Sequence, residues 1–99
     1  MRGLLMPGLV NAHAHTPMTL LRSAGDGLPL QSWLTDAVWP REGQMTPDDA
    51  HAGMVLGSLE MLLSGVTTSC EMYLFEEPMV DAVGRTGARM VMTLSLIHI

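Results

Sequence analysis

Apolar side chains recur at Ala52, Val55, Leu56, Leu59, Leu62 and Leu63, the spacing that lines one face of an α-helix. The flanks agree with that period. Thr46 is a good N-cap, Pro47 suits the first helical position, and Asp48 and Asp49 favour the positive end of the helix dipole. Gly65 stands where a left-handed C-terminal cap belongs. The pattern predicts a helix over about 47–64 with those six residues facing the core.

On either side the period shortens. Pro7-Gly8 punctuates the chain, and Leu9-Val10-Asn11-Ala12-His13-Ala14-His15 reads as a short extended run closed by Pro17. Residues 18–45 are less regular. Met18–Arg22 can start a helix, Gly25-Asp26-Gly27 is a turn, and Leu30–Val38 looks like a second short helix stopped by Pro40. Past Gly65, Val66–Met72 opens on β-branched residues and reads as a strand. A helix over about 77–85, closed by Gly87, and a strand over Ala88–Leu94 follow. Strand, helix and strand within residues 66–94 form a βαβ unit, with parallel pairing and a right-handed crossover. Parallel strands are normally covered on both faces. Three of them with a few helices leave edges and apolar faces in water. The layout is that of the opening of a larger α/β structure.

Composition narrows the classes. With 47% apolar and 15% charged residues the chain is globular, not disordered. Five basic residues against ten acidic ones give a net charge of −5, with no Lys/Arg cluster for a nucleic-acid backbone. The single cysteine, Cys70, rules out an internal disulfide and suits a reducing compartment. Residues Met1–Gly8 lack the apolar core of a signal peptide, and no run approaches the roughly 18–20 apolar residues of a membrane span. A cytoplasmic protein with no membrane partner is expected. The ten methionines are expected to fill gaps in a core. Cys70, with no basic neighbour in sequence, is expected as a buried small residue. His51, off the apolar stripe, is expected in solvent.

Candidate chemistry begins with His13 and His15. At i and i+2 of a strand both side chains leave one face. Such a pair can give two of the three protein ligands of a catalytic zinc, whose bound water is acidified toward a pKa of about 7. Two histidines also suit iron, nickel or copper. A bare His-x-His is more often a pair of ordinary polar residues than a pair of ligands, so the flanks decide.

Those flanks run Pro7-Gly8-Leu9-Val10-Asn11-Ala12-His13-Ala14-His15-Thr16-Pro17-Met18-Thr19-Leu20-Leu21-Arg22. The segment resembles the first barrel strand and following loop of the amidohydrolase superfamily, in particular its S-adenosylhomocysteine and methylthioadenosine deaminase-like subgroup and their chlorohydrolase relatives. The likeness continues through Trp33-Leu34, Trp39-Pro40-Arg41-Glu42, Glu60-Met61-Leu62, Gly65-Val66-Thr67-Thr68 and Glu71-Met72-Tyr73, covering residues 4–94. It implies an α/β fold, about three of the eight strands of a TIM-type (β/α)8 metal-dependent hydrolase barrel. It also implies zinc, or another divalent metal such as iron, on His13 and His15. Glu42 resembles the acidic residue that accepts hydrogen bonds from substrate ribose hydroxyls, a task for which a carboxylate with two acceptor oxygens is suited. Trp33 and Trp39 either wall a purine pocket or belong to the core. Glu71 stands where relatives commonly have aspartate, which leaves its role open.

The implied activity is deamination of an adenosine-type nucleoside by metal-activated hydroxide. A guanine- or cytosine-type deaminase and a triazine chlorohydrolase are the alternatives within the class. The resemblance places the remaining metal ligands and the proton-shuttling glutamate on later strands, so a catalytically inactive truncated fragment is the alternative from another class. Oligomeric state stays open. Residues 1–93 are expected to be the partial barrel and 94–99 a non-native tail. Leu94-Ser95-Leu96-Ile97-His98-Ile99 is what the bases CTGTCTCTTATACACATC encode, and they resemble the end of a transposon-type sequencing adapter. Different codons in the source nucleotides would remove that expectation.

Overall fold

A computed structural model describes residues 2–94. Strands β1 (Leu9–Ala14), β2 (Val66–Tyr73) and β3 (Arg89–Leu94) pair in parallel, in the order β1-β2-β3. Each connection moves one strand over, as the βαβ pattern predicts. Residues 95–99 of the expected tail lie outside the described residues.

Pairing of β2 with β3 is regular from Thr68 opposite Arg89 to Tyr73 opposite Leu94. Pairing of β1 with β2 is not: the register shifts between Leu9 and Val10 and again between Asn11 and Ala14. The second irregularity brackets His13, and a local kink of this kind re-aims a side chain.

Along β2, Ser69, Glu71 and Tyr73 are buried while Cys70 and Met72 are only half-buried. Strand alternation puts the first three on the face that the helices cover. Tyr73 joins Met54, Met79, Ala82 and Val83 in the core, flanked by the partly buried Met18, Met45, Met90 and Met92. Methionine therefore fills the core, as expected. Cys70 does not take the buried position expected of it, because its side of β2 has no helix over it. Val10 and Val91, on the flanking strands, are likewise exposed.

The long helix α3 (Pro47–Leu63) begins as predicted, on a capping box. The Asp49 N–H donates to Thr46 Oγ1 at 3.2 Å, and the Thr46 N–H donates to Asp49 Oδ2 at 2.8 Å. Thr46→Ala is expected to cost about 1 kcal/mol, read as a lowered urea midpoint that Thr46→Ser restores. Hydrogen bonds from the Thr46 N–H and then its hydroxyl hold the Asp49 carboxyl below its ordinary value. A depressed folded value contributes stability above the ordinary carboxylate range and loses it as pH falls through the depressed value. Removing the cap should therefore flatten part of the acid limb of the stability profile.

The buried face of α3 is not the leucine stripe. Ala50, Gly53, Met54, Gly57 and Ser58 are buried, whereas Ala52, Leu56, Leu59 and Leu63 are exposed. The cause is close approach. A Cβ on Gly53 would lie 2.6 Å from the Pro17 carbonyl oxygen, and one on Gly57 would lie 2.7 Å from Thr19 Oγ1. Burial here follows the small residues that let the chain after β1 lie against the helix.

That chain is a 3-10 helix, Thr16–Leu21, with Pro17 inside its first turn; the sequence pattern had a helix beginning only at Met18. Pro40 does not stop the next helical stretch either. Helix α1 (Leu30–Ser32) widens into a π-helix over Trp33–Val38 and tightens again as α2 (Trp39–Glu42). The Trp39 N–H donates to the Leu34 carbonyl, five residues back. A wide turn relieves the clash that a proline ring makes with the carbonyl four residues earlier, so the chain stays helical through Pro40.

Helix α4 (Glu76–Thr86) ends at Gly87 with φ +78°, as predicted. It is clipped to α3 through His51, which is half-buried and not free in solvent. His51 Nε2 lies 2.9 Å from Asp81 Oδ2, and Arg85 Nε lies 2.8 Å from the same oxygen. No helix among the described residues is long and apolar enough to cross a membrane.

Candidate metal centre

The C-terminal end of β1 brings His13 and His15 together. Their Nε2 atoms lie 3.2 Å apart, with the ring planes nearly perpendicular. Two imidazoles on one tetrahedral metal, each at about 2.0–2.1 Å, would hold their nitrogens about 3.3 Å apart. The pair is thus spaced for a shared ion. His15 Nδ1 meets the Met72 backbone carbonyl. A carbonyl can only accept, so Nδ1 carries the proton and Nε2 keeps its lone pair in the neutral ring. Asn11 Oδ1 accepts from the His13 N–H at 3.3 Å, bracing the irregular stretch of β1.

The pair opens onto a cavity of about 320 Å³. Met18, Trp33, Leu34, Val38 and Trp39 form its apolar walls, and Glu42, Met72 and Tyr73 complete it. Both tryptophans therefore stand on the cavity, not in the buried core, and Trp39 is 43% exposed. The π-helix decides this placement, because it carries the chain past Pro40 and delivers Trp39 and Glu42 to one rim. Trp33 Nε1 donates to the Ala24 carbonyl at 2.9 Å, which ties the preceding turn to the wall. Glu42 is buried. Burial, then the Glu42 carboxylate beside it, pushes the Tyr73 phenol above its ordinary value. A more open groove of about 400 Å³ lies across β1 against α3, and among the described residues His15 is the one imidazole on it.

Of the groups that support the pair, the sequence marked Glu71 with its role open and passed over Gly53 and Gly57. Glu71 is fully buried and spends both carboxylate oxygens on Thr16. Its signal was a charge set between Ser69 and Tyr73 on the side of β2 that turns inward. The glycines at i and i+4, Gly53 and Gly57, were the corresponding signal on α3. Among the described residues no group of three or more His, Cys, Asp and Glu side chains could hold a metal. His13 and His15 are spaced as two corners of such a site would be.

Parallel strands with helices between them, and an imidazole pair at the end of the first strand, define the opening of a (β/α)8 barrel. The chain belongs to the amidohydrolase family, whose profile matches residues 4–97. It is 46% identical over 98% of its length to a 5-methylthioadenosine/S-adenosylhomocysteine deaminase of Haloarcula marismortui, and 41% identical over 97% to a 5′-deoxyadenosine deaminase of Methanocaldococcus jannaschii. It spans only about a fifth of those relatives, 22% and 23% of their lengths. Among solved structures, an adenosine deaminase of Xanthomonas campestris with bound zinc superposes with a TM-score of 0.82 at 41% identity, over 87% of this chain and 20% of that one. An atrazine chlorohydrolase of Arthrobacter aurescens complexed with zinc gives 0.76 at 25% identity, over 89% and 23%.

Proposed function

We propose that this chain supplies the first metal-binding strand of an aminohydrolase that deaminates an adenosine-type nucleoside. The observation that carries the proposal is the His13–His15 pair, spaced for one ion and with the His15 tautomer fixed for ligation. The names of the relatives support the substrate class, and zinc in the related structures supports the metal. When bound, a divalent metal supplies Lewis acidity and acidifies water toward neutral pH.

The chain's own residues do the rest of what this part of the site offers. His13 and His15 hold the ion, and the Met72 carbonyl orients the second ring. The tryptophan-lined wall takes a flat apolar base and excludes water from it. Glu42, buried at the rim, accepts from a pair of vicinal hydroxyls. Glu42→Gln is expected to raise KM for a nucleoside about tenfold, the worth of one charge-assisted hydrogen bond. A substrate without the ribose hydroxyls should be indifferent to the change.

The test is a full-length amidohydrolase carrying residues 4–94 of this chain in place of its own. Ammonia release is followed with adenosine-type nucleosides, guanine and cytosine, and chloride release with a chlorotriazine. Nucleoside deamination that a chelator abolishes and zinc restores is expected. Chloride release alone, or deamination indifferent to the chelator, would sink the proposal.

A further inference from the structure

We propose that Glu71 is a positioning residue for His15, acting through Thr16. The inference rests on the metal pair of the proposed function. Glu71 has no exposure to solvent. Its Oε2 accepts from the Thr16 N–H at 2.9 Å and its Oε1 from the Thr16 hydroxyl at 2.6 Å. Both oxygens thus close on the residue that follows His15.

Burying a carboxylate costs several kcal/mol unless hydrogen bonds compensate it. Joining a loop to a strand needs no such charge, because a neutral amide could also accept from a backbone N–H. What the carboxylate adds is stiffness at a place that needs it. His15 has φ −129° and ψ 63°, neither helical nor extended, at the junction between β1 and the 3-10 helix. The two bonds to Thr16 fix the peptide that joins the strand to that helix. Met72, next to Glu71 on β2, accepts the His15 Nδ1–H hydrogen bond on its carbonyl. Consecutive residues of β2 therefore clamp consecutive residues of the other strand's end. Glu71 fixes the backbone that bears the ring, and Met72 fixes the ring's rotation. Gly57 closes the other side, since a Cβ there would lie 3.2 Å from the Thr16 carbonyl oxygen.

The experiment uses the full-length enzyme carrying this segment. Zinc affinity is measured by chelator competition, and the visible spectrum of the cobalt(II) form is recorded, alongside kcat and KM. Glu71→Gln and Thr16→Val are each expected to weaken zinc binding about 10–100-fold, the usual cost of losing an outer partner of a ligand. They should also shift the cobalt bands and lower kcat more than they raise KM. Glu71→Asp, which keeps a carboxylate, should recover most of the affinity. The double variant should cost less than the two singles summed, because both substitutions act on the same Thr16–Glu71 contact. Unchanged affinity and an unchanged cobalt spectrum in Thr16→Val overturn the inference, and that isosteric variant decides it if Glu71→Gln does not fold. Retention of zinc by His13→Ala and His15→Ala together would instead sink the metal pair itself.

Discussion

Alanine at His15 is expected to strip the metal from a full-length enzyme carrying this segment, and alanine at His13 to do the same. The loss should exceed the roughly 10–100-fold cost of removing an outer partner, because a ligand itself is gone. The two Nε2 atoms are 3.2 Å apart, the spacing of two imidazole ligands on a single ion. With one ring missing, water must fill that corner, and the remaining imidazole no longer has a neighbour to share the ion. The variants differ in what they leave behind. His15→Ala orphans the Met72 carbonyl, whereas His13 has no such link to β2. His15→Ala should therefore also lower the urea midpoint, and His13→Ala should change it less. Metal content after dialysis and chelator competition read the first effect, and denaturation of the metal-free protein reads the second. Stoichiometric metal retained in either variant would falsify the role given to that histidine.

Gly53→Ala should destabilise the protein by about 1–3 kcal/mol, the usual cost of overpacking. Helix propensity argues for the opposite sign, because alanine is favoured over glycine by up to about 1 kcal/mol inside a helix. Space decides. The new methyl would stand 2.6 Å from the Pro17 carbonyl oxygen and 3.0 Å from its Cα, and both are backbone atoms. Pro17 cannot retreat without dragging Thr16 and then His15. Gly84 in α4 is the control: no described residue lies within 4 Å of where its methyl would stand, so Gly84→Ala should stabilise by about 0.5–1 kcal/mol. Urea midpoints of opposite sign for the two helical glycines are the expected result. A stabilising Gly53→Ala would mean that α3 does not approach the 3-10 helix as described.

Strands, βαβ order and both long helices were legible in the sequence because each is set by local signals: the Pro7-Gly8 and Pro17 bounds of β1, the β-branched start of β2, the Thr46 N-cap, Gly65 and Gly87. The inner face of α3 was not. Hydrophobic periodicity weighs bulk, and here the tight contact falls to Gly53 and Gly57, which carry no bulk to weigh. Pro40 misled for a related reason. Its ring forbids an ordinary helical turn, but the wider turn over Trp33–Val38 accommodates it, and nothing local in the residues announces that turn. At the site, His13 and His15 were marked by their flanking residues, because the bare His-x-His spacing did not decide. The role of Glu71 stayed open, because a glutamate on a strand gains meaning only when Thr16, far from it in sequence, comes within hydrogen-bonding distance.

Pairing β1 directly with β2 has a consequence for how this part of the fold can be inherited. His13, His15, their Asn11 brace, the cavity walls, Glu71 and the Met72 carbonyl all lie between Asn11 and Tyr73, and every contact described among them is internal to that stretch. A genetic crossover on either side of it would transfer the ligand pair with its supports in place. Recombination among related barrels could then exchange substrate-reading loops elsewhere while leaving this corner of the centre intact.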